Sequence, residues 1–227
     1  MTDSKAERLS VLGDLPSKKN NVCRVQWGSE VLVIKRFATP EAAAVEQTLR
    51  QRAAAAGLAV PAAAPVLATV YQDAPTLLDL LEVAEERLAR HATTVAAAAA
   101  SLSVAWQALF RWLVAFHEAT GHIVGDVNAR NFLYDAQAAT LYGLDFEDAR
   151  PGAPEEDVGR ALAFLLNYDP VESPLKRAVC DDLRARLAAG EIEGLQYARI
   201  EAFCRDEQAA IQRRRAVRPP VTEGNER

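Results

Sequence analysis

The stretch FHEATGHIVGDVNARNFLYDAQAATLYGLDFEDA, residues 116–149, decides how this chain reads. It opens on the apolar end of a helical pattern that Gly121 closes. A loop, VGDVNARN (124–131), leads into two short runs, 131–134 and 140–146, that read as paired strands. Asp126 and Asn131 lie in the loop, and Asp145 stands at the end of the second run. A hairpin of this kind brings Asn131 and Asp145 side by side. An amide oxygen beside a carboxylate suits Mg²⁺, which takes hard oxygen ligands and shares its remaining positions with water and substrate phosphates. Asp126, at the loop tip, is then placed to take a proton from an attacking hydroxyl. Taken singly, Asp126 and Asn131 also read as turn formers, and Asp145 as a strand-end cap.

Upstream, Trp106, Phe110, Leu113 and His117 recur at helical spacing, with Leu109 and Phe116 widening the stripe. His117 on that stripe is expected to be a hydrogen-bonded core histidine. The run from Val95 to Phe116 is the most apolar in the chain, yet it contains Gln107 and Arg111 and is rich in alanine. A buried helix accounts for it better than a membrane span. Further upstream, VCRVQW (22–27) and VLVIKRF (31–37) flank Gly28-Ser29, a hairpin signal. Val31, Val33, Lys35 and Phe37 share one strand face, so Lys35 projects from an apolar row toward a place where phosphate oxygens could meet it. A carboxylate on the next helix can hold it: Glu46, with Glu41 as the rival. Thr39, Pro40 and Glu41 start that helix and Gly57 stops it. Pro61 and Pro65 precede a short strand at 66–71, and QDAP (72–75) reads as a joint; residues 77–90 look helical.

Downstream, helices start at Pro154 and at Ser173-Pro174, and a last one reaches Arg215. Asp157 reads either as a buried carboxylate tying down the 124–131 loop or as an acid complementing a helix dipole. The segment IQRRRAVRPP (211–220) reads as a solvated basic helix end.

Composition sets the outer limits. The 227 residues are 50% hydrophobic and 25% charged, the profile of a soluble globular protein. Lys plus Arg number 26 against 31 Asp plus Glu, a net charge of −5, which speaks against nucleic-acid binding. Cys23, Cys180 and Cys204 are odd in number, widely spaced and without a CxxC pair, so reduced thiols and a cytoplasmic setting are expected. The first ten residues, MTDSKAERLS, lack the apolar core of a signal peptide.

A strand lysine, a helix carboxylate, a D-x-x-x-x-N loop and an aspartate after the next strand are components of phosphoryl transfer, in which positioning and charge neutralisation supply most of the catalysis. In that order, with VLVIK, Glu46, DVNARN and DFE, the chain resembles the protein-kinase-like superfamily. FHEATGHIVGDVNARNFL and LDFEDA are most similar to its small atypical branch, the aminoglycoside, choline and lipopolysaccharide-sugar kinases. The resemblance covers residues 17–170 and is concentrated in 116–160. It implies an α+β, bilobal fold: a small antiparallel sheet with one helix over 1–75, covering a nucleotide, and a mainly helical lobe over 76–227 carrying the catalytic loop and metal site. It further implies ATP as phosphate donor and Mg²⁺ as cofactor, with Asp126 catalytic, Lys35 and Glu46 at the nucleotide, and Asn131 and Asp145 at the metal.

The chain departs from the family pattern at three places. Val124 stands where a histidine often precedes Gly-Asp, DFE replaces DFG, and LPSKKNN (15–21) replaces a glycine-rich loop. Ser17, Asn20 and Asn21 would then serve the phosphates. The few residues between Asp145 and Asp157 leave no room for the long segment of a regulated protein kinase. The expected acceptor is therefore a small hydroxyl compound, with Ser or Thr of a protein as the other option. The competing reading is a pseudokinase or scaffold, favoured by Val124 and the missing glycines and opposed by the retention of Lys35, Asp126, Asn131 and Asp145.

Overall fold

The Gly28-Ser29 hairpin is the centre of a four-stranded antiparallel sheet. In a computed structural model, residues 10–15, 21–37, 39–59 and 68–217 are described. Ser17, Asn20, Pro61, Pro65, the start of the run at 66–71 and residues 218–220 of the basic segment lie outside the described residues. The sheet takes strands β1 (Ser10–Leu15), β2 (Asn21–Trp27) and β3 (Glu30–Arg36); helix α1 (Pro40–Ala55) intervenes before β4 (Ala68–Val70). Sheet order is β1-β2-β3-β4. Gly28 supplies the positive φ of +58° that the β2–β3 turn requires. Register places Val22 opposite Lys35 and Arg24 opposite Val33. Strand β1 was not expected from the sequence. Gly13 and a register shift between Val11 and Gly13 break the alternation that would have revealed it.

Helix α1 begins as the sequence suggests: Thr39 caps it by accepting from the Ala42 N–H. Helix α2 (Leu77–Ala89) opens on a capping box between Thr76 and Asp79. Helix α3 (Val95–Thr120) is capped by Thr94 and ends at Gly121, whose φ of +71° gives the left-handed stop. A three-residue 3₁₀ turn (Ala129–Asn131) leads into β5 (Phe132–Asp135), which pairs antiparallel with β6 (Thr140–Gly143). Helices α4 (Pro154–Asn167), α5 (Pro174–Ala188) and α6 (Tyr197–Val217) complete the described residues. The architecture is thus α+β, a small antiparallel sheet followed by a mainly helical remainder.

Helix α3 is the hub of the larger core. By length and composition it could cross a membrane. Here Leu102, Trp106, Leu109, Phe110, Leu113 and Phe116 are buried against other helices, and Leu49 and Ala53 of α1 join the same cluster. The sheet has a much smaller core of its own, Val25 and Leu32 with Cys23, Ile34 and Val70 around them. Cys180 and Cys204 are buried free thiols, and desolvation pushes the Cys180 pKa up to about 12.

Two expectations are corrected and a third holds. The second strand of the late hairpin stops at Gly143 rather than 146, because Phe146 turns into an aromatic cluster with Trp112 and Phe116 and draws the chain off the pairing line. His117 is hydrogen-bonded as expected, with Nε2 2.9 Å from the Gly152 carbonyl, but it is half-buried at the edge of the core rather than within it. The basic end of α6 is exposed, as expected, and within it Arg214 pairs with Glu207 and Arg215 donates to Asn167.

Candidate active site

Lys35 is where the sheet meets the helical part. Its face is fixed by the β2–β3 register, and its Nζ lies 4.5 Å from the Phe37 ring centroid on the same row. Nζ donates to Glu46 Oε2 at 2.8 Å and to Asp145 Oδ1 at 2.7 Å, and Glu147 Oε2 stands 3.7 Å away. Burial by itself would lower the Lys35 pKa; the charges of Glu46 and Asp145 and their hydrogen bonds outweigh it, so the ammonium is held above its ordinary value. Glu46 is 3% exposed, whereas Glu41 lies exposed in the first turn of α1. Of the two rivals, Glu46 is the one that meets Lys35.

Asp145 owes its place to its neighbours. Phe146 is fully buried, 5.9 Å from Trp112 and 5.1 Å from Phe116 between ring centroids. Gly143 lets the chain pass, since a Cβ there would come within 2.6 Å of the Trp112 ring. On the other side of the hairpin the Asn131 carbonyl accepts from the Leu144 N–H at 2.9 Å. The Asn131 side chain donates from Nδ2 to the Asp126 carbonyl at 3.1 Å. An unbroken series of contacts therefore runs Asp126, Asn131, Leu144, Asp145, Lys35, Glu46. With Nδ2 committed, the Asn131 amide oxygen is the atom left to face a cation, and Asp145 has Oδ2 outside its Lys35 contact. Among the described residues no group of three or more His, Cys, Asp or Glu forms a self-sufficient metal cage. Two oxygen donors without a cage fit an ion shared with phosphates.

Asp126 is exposed at the tip of its loop, with Oδ1 accepting from the Asn128 N–H at 3.3 Å. The loop itself is held from beneath by α4. Asp157 accepts from the Val124 N–H at 2.6 Å and the Gly125 N–H at 3.1 Å, and Arg160 donates to the Gly125 carbonyl at 3.2 Å. Burial pushes the Asp157 pKa up to about 6, against the pull of the two backbone N–H bonds. Just past the other end of α4, the Tyr168 hydroxyl accepts from the Ala129 N–H at 2.8 Å and donates to Asn128 Oδ1 at 3.3 Å. Burial drives the Tyr168 pKa up to about 12, so that hydroxyl keeps its proton. Gly125 has a φ of +83°, and a Cβ on it would stand 2.4 Å from the Asp148 carbonyl oxygen. Only glycine allows both features.

Sequence reading missed four residues around this site: Arg50, Glu147, Arg160 and Tyr168. Arg50 had a signal, its i,i+4 spacing from Glu46. Tyr168 had none, since nothing in its neighbourhood tells that its hydroxyl reaches back forty residues. A separate cleft of about 370 Å³ at His117, Glu155 and Arg199 contains none of the five expected site residues.

No protein-family model matches the chain. No curated protein matches it in sequence. Among solved structures it is similar to vaccinia-related kinase 3, with 17% identity over 68% of this chain and a TM-score of 0.43; it spans 52% of that chain. It is also similar to the PknI kinase domain of Mycobacterium tuberculosis, with 18% identity over 95% of this chain and 100% of that one, and a TM-score of 0.45. Both TM-scores are below 0.5, and the functional reading rests on the side chains described above.

Proposed function

We propose that the chain is an ATP-dependent phosphotransferase of protein-kinase-like type, acting on a hydroxyl of a small molecule. The observation that carries this reading is Lys35, held at once by Glu46 of α1 and by Asp145 beside Asn131. A strand lysine spanning two carboxylates is poised to exchange one of them for a phosphate oxygen. Asn131 Oδ1 and Asp145 are the atoms that would hold Mg²⁺, whose charge would offset that of the phosphates. Asp126 carries the proton chemistry: its exposed carboxylate accepts the hydrogen of the acceptor hydroxyl as the new P–O bond forms and the bond to the β-phosphate oxygen breaks. Asp157, Arg160 and Tyr168 keep the loop in place around it. The short path from Asp145 to α4, with Asp148 packed against Gly125, favours a small acceptor over an extended peptide.

The test is a thermal shift with Mg·ATP, followed by an acceptor screen with labelled ATP. Mg²⁺-dependent stabilisation that Asp145→Ala abolishes is expected, together with label transfer to a small hydroxyl compound. A shift without transfer to any acceptor would favour a nucleotide-binding scaffold, and no shift at all would sink the reading.

A further inference from the structure

Glu46 is buried, and its two oxygens serve two different cations. Oε2 meets Lys35; Oε1 receives Arg50 Nε at 2.9 Å and Nη2 at 2.8 Å. The same guanidinium donates from Nη2 to the carbonyl of Leu144, the residue before Asp145. Its Cζ lies 5.0 Å from the ring centroid of Phe146, the residue after it. Arg50 is itself buried, and its Nη1 has no hydrogen-bond partner. One planar cation thus joins α1 to both neighbours of Asp145.

We propose that Arg50 is the positioning residue for Lys35. It fixes the spacing of Glu46 and Asp145, the two carboxylates that hold the lysine, and it keeps Glu46 paired whenever Lys35 turns toward a phosphate. The second half rests on the phosphotransferase reading; the first does not. An apolar side chain at this place could pack on Phe146 but could not grip the Leu144 carbonyl. It would also leave Glu46 with Lys35 as its sole cation, and each excursion of the lysine would strand a buried carboxylate, which is costly. A guanidinium satisfies both needs because its fork bonds two acceptors while its face stacks on a ring.

The full-length protein, Arg50→Met and Arg50→Lys are compared in two ways. Without nucleotide, Lys35 is acylated with acetic anhydride and the rate read by peptide mass spectrometry. The fully buried Lys176 serves as internal control for the integrity of the fold. Arg50→Met should label Lys35 several-fold more slowly than the native protein, because each departure of the lysine would strand the Glu46 carboxylate, while Lys176 stays protected, and Arg50→Lys should fall between. Equal Lys35 rates in native and Arg50→Met proteins overturn the proposal. If Arg50→Met exposes Lys176, Arg50→Lys decides, and native-like labelling in it overturns the proposal. With Mg·ATP, Arg50→Met should weaken binding, and adding Glu46→Gln should weaken it no further, because both act through Lys35. Losses that simply add overturn the coupling. A native protein that does not bind Mg·ATP at all would remove the phosphotransferase reading, and the labelling result would still decide Arg50.

Discussion

Asp126 and Asp157 serve the same loop under opposite conditions, one exposed and one buried. Because the loop hangs on Asp157, Arg160 and Tyr168, Asp126 contributes little to its shape. Asp126→Asn should therefore leave Mg·ATP affinity and melting temperature nearly unchanged while phosphate transfer falls by ~10²–10⁴-fold, the usual worth of a general base. Single-turnover transfer beside a binding titration checks this, and full transfer in the variant overturns the assignment. Asp157 has the reverse signature. Its folded pKa of about 6 lies above the ordinary 3.8, so the folded protein binds the proton more tightly than the unfolded chain. The stabilisation linked to that proton is complete below pH ~4 and fades as pH rises through ~6, by at most about 3 kcal/mol. In urea unfolding, the stability of the native protein relative to Asp157→Asn should decline over that window. A constant difference would show that the carboxylate is not protonated there.

Helix α4 is the element that organises the site, and its two ends grip the loop at 124–125 and 128–129. Tyr168→Phe keeps the ring but leaves the Ala129 N–H without its acceptor, at a cost of roughly 1–3 kcal/mol. Chemical denaturation measures the loss, and transfer activity should drop with it. The opposite face of α4 lies against α6 so closely that a Cβ on Gly159 would come within 2.6 Å of the Ile200 carbonyl and 2.9 Å of the Cys204 nitrogen. Gly159→Ala should cost about 1–3 kcal/mol or more, since backbone must move to admit one methyl group. An unchanged melting temperature would contradict that packing. At this scale most of the architecture was legible. Thr39, Gly121 and Ser173 mark helix ends through local hydrogen bonds and φ preferences that the sequence carries openly. The placement of Asp126, Asn131 and Asp145 followed from one hairpin. Contacts that depend on how α1 and α4 pack were hidden: Arg50 on Phe146 and Tyr168 on Ala129 join residues far apart in the chain, and no local pattern announces them. Strand β1 was hidden for a different reason, because its bulge cancels the period-two signal.

Across the whole molecule, stability is unevenly divided. A ligand that binds only the closed, folded form at a hundred times its Kd adds about 2.7 kcal/mol, so saturating Mg·ATP should raise the melting temperature measurably. Where that gain would be felt depends on the two apolar clusters. The sheet rests on Val25 and Leu32 and a few partly buried neighbours, while α1 is moored to the large core through Leu49 and Ala53. The sheet can therefore detach while α1 stays behind, and the ion pairs of Lys35 with Glu46 and Asp145 lie along that seam. In deuterium exchange, amides of β2 and β3 should become labelled through a partial opening that leaves α3 and α4 protected. Each such excursion would carry Lys35 away from Glu46, which stays neutralised by Arg50. The opened form then has no stranded carboxylate to drive it shut, and the rate at which the sheet closes is left to apolar contact and to whatever anion Lys35 next encounters.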